Sequence, residues 1–357
     1  NCESGKETSM KFGLFGGAVI KPNADSGDSL GYRPFMDVVS KAEELGFESM
    51  SLVEHHFGGD GQISSSLSLL SHLTAITSKL RLGTAVTVLP WHNPILLAEQ
   101  VATIDVLSGG RVDFGVGKGY RKNEYKGFNI PQDEALARYL ESIEIIKKAW
   151  TSRERFSFKG KFWSFEDIIV EPSPVQVPHP PLWSAAGSDE SIRDVAKAGF
   201  KVLFDHFATF ERTQQRLDAW REACNKIGRT FDPNEVCLAR GLTITTSDKE
   251  YEEAIERREV RVTKMIERFG SLPGIENKRP NSYSDKGPEM DESALIGDPD
   301  TIVLRIKTLE KMGFEYLNIL LPDDSKSLNL FANEVMPEFT TKTQKSLPSK
   351  QPAMMAE

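Results

Sequence analysis

A repeat narrows the possible folds most: short apolar runs, each too brief for a helix, alternate with segments whose apolar residues recur at helical spacing. The clearest run is Gly83 to Pro90, where β-branched and apolar residues continue unbroken from Ala85 to Leu89 until Pro90 stops them. That is the pattern of a parallel strand covered on both faces. Similar runs lie at 11–17, 49–53, 80–89, 111–116, 182–186, 202–204, 236–245 and 316–320. Between them Phe35, Val38, Val39, Ala42 and Leu45 recur at helical spacing before Gly46, and Pro94 opens a helix that Ser108-Gly109-Gly110 ends. About eight strands, each followed by a helix, predict an α/β fold, a (β/α)8 TIM barrel, in preference to an open doubly wound sheet.

Two stretches break the repeat and predict insertions after strands 4 and 7. After a long amphipathic helix marked by Tyr139, Ile143, Ile146 and Trp150, Phe156 to Trp163 alternates aromatic and polar residues like a hairpin. Later, residues 270–292 are rich in Gly, Pro, Asn, Ser and Asp, the composition of a lid or a surface insertion. Met10-Lys11-Phe12 reads as the natural start, leaving residues 1–9 as a disordered leader or cloning remnant. One barrel domain is expected over 10–342, with a polar tail at 343–357.

A net charge of −8 argues against a nucleic-acid surface, which needs a basic stripe. Three scattered cysteines make neither a disulfide framework nor a CxxC metal site, and a reducing, cytoplasmic location is expected. No apolar run reaches the length of a membrane span. A small organic molecule is the expected partner.

In a barrel of this kind the site lies at the C-terminal ends of the strands, where His55, Pro90 to Asn93, Lys118 and Ser188 all fall. Glu54-His55-His56 reads either as an acid/base cluster or as two satisfied histidines at a strand end. Zinc is disfavoured, because neighbouring histidines on a strand point to opposite faces, and no metal is expected. Gly115-Val116-Gly117-Lys118-Gly119 matches neither a Walker A motif nor a full GxGxxG and reads equally as a tight turn. Ala186-Gly187-Ser188 ahead of a helix offers a phosphate free N–H groups and a hydroxyl, with Lys118 as a charge from across the rim. Asp189 and Glu190 oppose that reading, and a plain N-cap at Ser188 is the alternative. Phe15, Trp91, Phe114, Phe204 and Phe207 lie at or near strand ends, either lining an apolar pocket or packing the barrel.

Met10-Lys11-Phe12-Gly13, Glu44-Leu45-Gly46-Phe47, Val53 to Phe57, Gly83 to Pro90, Ser108 to Arg111, Phe114-Gly115, Ile296 to Pro299 and Val335-Met336-Pro337 stand in the order found in the bacterial luciferase-like, flavin-dependent monooxygenases, which the chain resembles from Met10 to about Lys342. The resemblance implies a (β/α)8 barrel that takes FMN as FMNH2 from a separate NAD(P)H:flavin reductase. It also implies O2 as co-substrate, a flavin C4a-(hydro)peroxide and a homodimer. It makes His55 the active-site histidine, Glu54 the acidic residue near the flavin, and Ala85-Val86 a cis peptide beneath the ring. Lys118, Ser188 and Ser191 take phosphate-contacting places. Two departures stand out: Gly117 is where luciferase has a reactive cysteine, and Gly187 replaces a glutamate of its flavin site. Relatives that transfer hydride with F420, or a non-catalytic flavin-binding protein, are the alternatives.

Overall fold

The computed structural model describes residues 9–18, 29–58, 63–269, 293–321 and 325–339. Its parallel strands are β1 (Lys11–Gly16), β2 (Ser49–Leu52), β3 (Arg81–Thr84), β4 (Thr87–Val88), β5 (Val112–Gly117), β8 (Leu182–Ala185), β9 (Lys201–Phe204), β10 (Val236–Ile244), β11 (Ala294–Gly297) and β12 (Tyr316–Leu320). β1 pairs with β2 and β12, and pairing continues through β3, β5, β8, β9 and β10 back to β12. The sheet closes on itself, as the repeat predicts. The expected third strand is broken into β3 and β4, the latter still paired to β5. β11, which the repeat did not single out, adds to the far end of β10.

Around the barrel lie α1 (Ser29–Glu44), α2 (Ser66–Ile76), α3 (Pro94–Ser108), α4 (Lys122–Gly127), α5 (Ala135–Thr151), α6 (Asp189–Lys197), α7 (Phe210–Lys226), α8 (Asp248–Phe269), α9 (Pro299–Met312) and α10 (Ser325–Leu330). α3 shows how local chemistry sets the ends: the Asn93 side chain accepts the Ile95 and Leu96 N–H groups, Pro94 occupies the first turn, and Gly109 at φ 68° closes it. α1 begins earlier than expected and carries Pro34 inside it. The excursion after β5 is a hairpin of β6 (Phe156–Lys159) and β7 (Ser164–Ile168), its second strand lying beyond the predicted Trp163. Residues 1–8 of the expected leader, the lid at 270–292 and the tail fall outside the described residues.

The period of two along each strand divides the packing. Met50, Leu52, Leu82, Phe114, Val202, Phe204, Leu238, Leu317 and Ile319 face the helices in one continuous apolar core. The lumen takes the alternate residues and is far more polar. Arg81 bonds Asp113 at 2.6 and 3.0 Å, Trp183 Nε1 donates to Asp113 at 3.2 Å, and the Ser49 and Tyr316 hydroxyls lie 2.5 Å apart. A small space among Ser51, Thr84, Asp113, Trp183, Leu203, Cys237, Tyr316 and Asn318 marks the lumen centre.

Candidate active site

β2 runs out into Val53-Glu54-His55-His56, and the alternation sends Glu54 and His56 one way and His55 the other. Glu54 is 2% exposed. Its Oε1 accepts from His56 Nε2 at 3.0 Å, Trp91 Nε1 at 2.8 Å and His92 Nε2 at 2.9 Å, and Val88 N approaches Oε2 at 3.4 Å. Burial pushes the carboxyl pKa up, but the bonds from His56, His92 and Trp91 and the His92 charge outweigh it and hold the pKa at about 2. Glu54 is therefore an ionised clamp joining β2 to the 3-10 turn Leu89–Trp91. Around it Trp91 stacks on Phe128 at 5.0 Å, and the His56 ring meets Phe128 edge-on at 4.8 Å. His56 is thus a member of the clamp and not a bystander.

His55 has a different carboxylate. Its Nδ1 lies 3.1 Å from Glu124 Oε1, an atom that also accepts the His56 N–H at 2.9 Å and lies 3.8 Å from Arg121 Nη1. Glu124 is 1% exposed and sits in the short helix α4, beyond the Gly117–Gly119 turn. Burial lowers the His55 pKa, Glu124 raises it in part, and Arg121 lowers it again. The His55 side chain keeps 19% of its surface exposed. With Nδ1 on Glu124, Nε2 is the ring nitrogen left to face other groups. The carboxylate on His55 Nδ1 is thus Glu124, while Glu54, its neighbour in the chain, serves His56, Trp91 and His92. Glu124 carries no motif, and its only signal is a carboxylate between Arg121 and Tyr125 just past a strand end.

The Ala85–Val86 peptide is cis and occupies the break between β3 and β4. Ala85 N donates to Leu52 O at 2.7 Å and Thr84 Oγ1 to Gly115 O at 2.6 Å, which stitches the break to both neighbouring strands. A side chain at Gly115 would collide with the Thr84 carbonyl oxygen, and one at Gly117 with a Val86 methyl. The cysteine place taken by Gly117 is therefore closed by Val86. Lys118 follows, exposed, with its carbonyl accepting the Tyr125 hydroxyl.

Ser188 caps α6: its Oγ accepts the Ser191 N–H at 3.2 Å, and Ser191 Oγ receives the Ser188 and Gly187 N–H groups at 3.1 and 3.2 Å. The N-cap given as the alternative is thus formed, and it lies exposed at the C-terminal rim.

Two pocket expectations are corrected. Phe114 packs edge-on against Trp150 at 5.7 Å, and Phe204 against Phe314 at 6.4 Å, both in the core beneath the helices. Position at a strand end did not settle which face they take; their inward neighbours are Asp113 and Gly115, and Leu203 and Asp205. Phe15 does reach the mouth, 5.4 Å from the His206 ring, which lies 3.9 Å from Phe207. Trp91 belongs to the Glu54 clamp. His206 was not singled out from sequence. Burial, then the charges of Arg258, Arg261 and Arg240, push its pKa down to about 3.

The donor set fits a flavin mononucleotide: hydroxyls and a helix start suit a phosphate, and the Ala85–Val86 backbone with Phe15 offers an apolar bed for a flat ring. Among the described residues, no helix is long and apolar enough to cross a membrane.

Residues 10–316 match the model of the luciferase-like monooxygenases. The chain is 29% identical over 318 residues to an FMNH2-dependent dimethylsulfone monooxygenase of Pseudomonas putida, covering 83% of this chain and 85% of that protein. It is 27% identical over 339 residues to an F420-dependent glucose-6-phosphate dehydrogenase of Amycolatopsis mediterranei, covering 88% and 96%. A 32% match to the uncharacterized protein y4vJ of Sinorhizobium fredii spans 46% of that protein, about half its length. The solved structure of monooxygenase RslO1 from Streptomyces bottropensis superposes with a TM-score of 0.81 at 23% identity, covering 93% of this chain and all of that one. The closed barrel and the family model agree, and the chain belongs to the luciferase-like monooxygenase family of oxidoreductases.

Proposed function

We propose that the chain is the oxygenase of a two-component system, binding FMNH2 made by a separate NAD(P)H:flavin reductase and placing one oxygen atom of O2 into a small organic substrate. The observation that carries this reading is the His55–Glu124 pair, a proton-handling imidazole held by a buried carboxylate on the rim that also bears the α6 phosphate-suited start. The similarity to an FMNH2-dependent monooxygenase over most of both chains supports it. Bound reduced FMN would supply the electrons that activate O2.

The chain's own residues supply the rest. Ser188, Ser191 and Lys118 bind the phosphate end, and Ala85 and Val86 bed the ring. Gly187 leads the chain into α6 with its N–H on Ser191 Oγ, and His55 moves a proton at Nε2 beside the reacting centre. Phe15 and Phe207, with Trp91 further round the rim, exclude water from the substrate side. Glu54 acts indirectly, by fixing the rim through His56, Trp91 and His92.

A second reading, hydride transfer with reduced F420, draws on the dehydrogenase relative. One experiment separates these readings from passive flavin binding. Purified protein is given FMNH2 from a reductase, or reduced F420, with panels of sulfones, ketones and aromatic heterocycles, while O2 uptake, peroxide and product are followed. Substrate-dependent O2 uptake with FMNH2 and an oxygenated product is expected. Turnover only with F420, or O2 uptake recovered wholly as peroxide with every substrate, overturns the proposal.

A further inference from the structure

Behind the Gly187–Ser188 turn stand two guanidinium groups that the reading above leaves unused. Arg216 of α7 has a side chain with no exposed surface, and its Nε donates to Gly187 O at 3.0 Å. Its Nη1 donates to Asp205 Oδ2 at 2.9 Å, while Asp205 Oδ1 accepts the Phe207 N–H at 2.8 Å. One turn earlier on the same helix face, Arg212 Nη2 donates to Gly187 O at 3.3 Å and to Asp189 Oδ1 at 3.2 Å. A single carbonyl oxygen thus receives two cationic donors from one helix.

The peptide plane turns this into a statement about the rim. In a trans peptide the C=O and the following N–H point in opposite directions. Holding Gly187 C=O back toward α7 therefore sends the Ser188 N–H forward, where it meets Ser191 Oγ. The two guanidiniums also polarise that amide, which strengthens its N–H as a donor to Ser191 Oγ. Removing a buried ion-pair partner is costly, so Arg216 ties the turn firmly to the end of β9.

We infer that Arg216, assisted by Arg212, is a positioning residue for the phosphate end of the flavin: from α7 it fixes the Gly187–Ser188 peptide and, through the Ser188 N–H on Ser191 Oγ, sets the two serine hydroxyls at the exposed start of α6. This rests on the FMNH2 reading and adds to it a support specific to the phosphate end. A strut of purely structural importance would weaken all ligands alike, whereas this arrangement affects only ligands with a phosphate.

The test is an anaerobic titration of the apoprotein with FMNH2 and with reduced riboflavin, which lacks the phosphate, in the parental chain and in Arg216→Lys and Arg212→Gln. The parental chain is expected to prefer FMNH2 strongly. Each variant is expected to lose about tenfold in FMNH2 affinity, the loss of roughly one charge-assisted hydrogen bond, while reduced riboflavin binds within about twofold of the parental value. A parental chain that binds both flavins equally overturns the phosphate site, and the inference with it. A strong parental preference that both variants retain, or an equal loss for both flavins, overturns the inference alone. Should Arg216→Lys fail to fold by circular dichroism, the partly exposed Arg212→Gln decides by the same criteria.

Discussion

His55 Nδ1 and Glu124 Oε1 lie 3.1 Å apart although 69 residues separate them in the chain. The contact joins the end of β2 to a helix that follows β5, so it exists only because the barrel brings those ends to one rim.

Glu124→Gln is expected to slow oxygenation by about 10- to 100-fold, at or below the full effect of losing an acid or base. Glu124 raises the His55 pKa against burial, so removing its charge lowers that pKa further. The limb of the pH–rate profile belonging to His55 should therefore move to lower pH. A profile recorded from pH 5 to 9 checks this, and an unmoved limb contradicts it.

His55→Ala is expected to keep the fold and much of the FMNH2 affinity while losing about 10² to 10⁴ in oxygenation. His56→Ala should behave differently, because it removes a donor to Glu54 Oε1. It should lower stability by about 1–3 kcal/mol with a smaller effect on rate. Urea unfolding alongside single-turnover oxygenation distinguishes the two, and a His55→Ala variant with parental rate and coupling would end the acid/base assignment.

Glu54→Gln is expected to destabilise the protein by about 1–3 kcal/mol near neutral pH. Since the folded pKa is depressed to about 2, the stabilising contribution is complete above the ordinary value of 4.5 and disappears as pH falls toward 2. The difference between parental and variant midpoints should shrink across that window. A difference constant down to pH 3 would contradict the clamp.

His206 has its pKa lowered from 6.5 to about 3, so the unfolded chain binds the extra proton first as pH drops. Its contribution is full above pH 6.5 and falls steadily below it, by about 1–2 kcal/mol at pH 5 for a partly buried ring. His206→Gln should flatten the parental loss of stability between pH 7 and pH 5. Parallel slopes for the two proteins would contradict it.

A homodimer is proposed through α2 and α3, which leave Ile76, Leu96, Val106 and Leu107 more than a third exposed. Light scattering should give twice the chain mass for the parental protein, and Leu107→Glu should shift it toward the monomer. A parental protein that is monomeric at micromolar concentration rules this out.

The amino-acid sequence by itself determined the barrel, because alternating strand and helix periods are local and each run needs covering on both faces. It also placed His55, Lys118 and Ser188 at strand ends, and the resemblance placed the cis bond at Ala85–Val86. Only the tertiary structure decided which residue meets which. Phe114 and Phe204 lie at the right height but on the helix side, since a strand end fixes height and not face. Glu54, adjacent to His55, serves His56, Trp91 and His92, while Glu124 reaches His55 from another strand's loop. Periodicity is a property of neighbouring residues, whereas a buried carboxylate finds its donors through the closure of the barrel, and that closure brings together residues with no mark in the sequence to pair them.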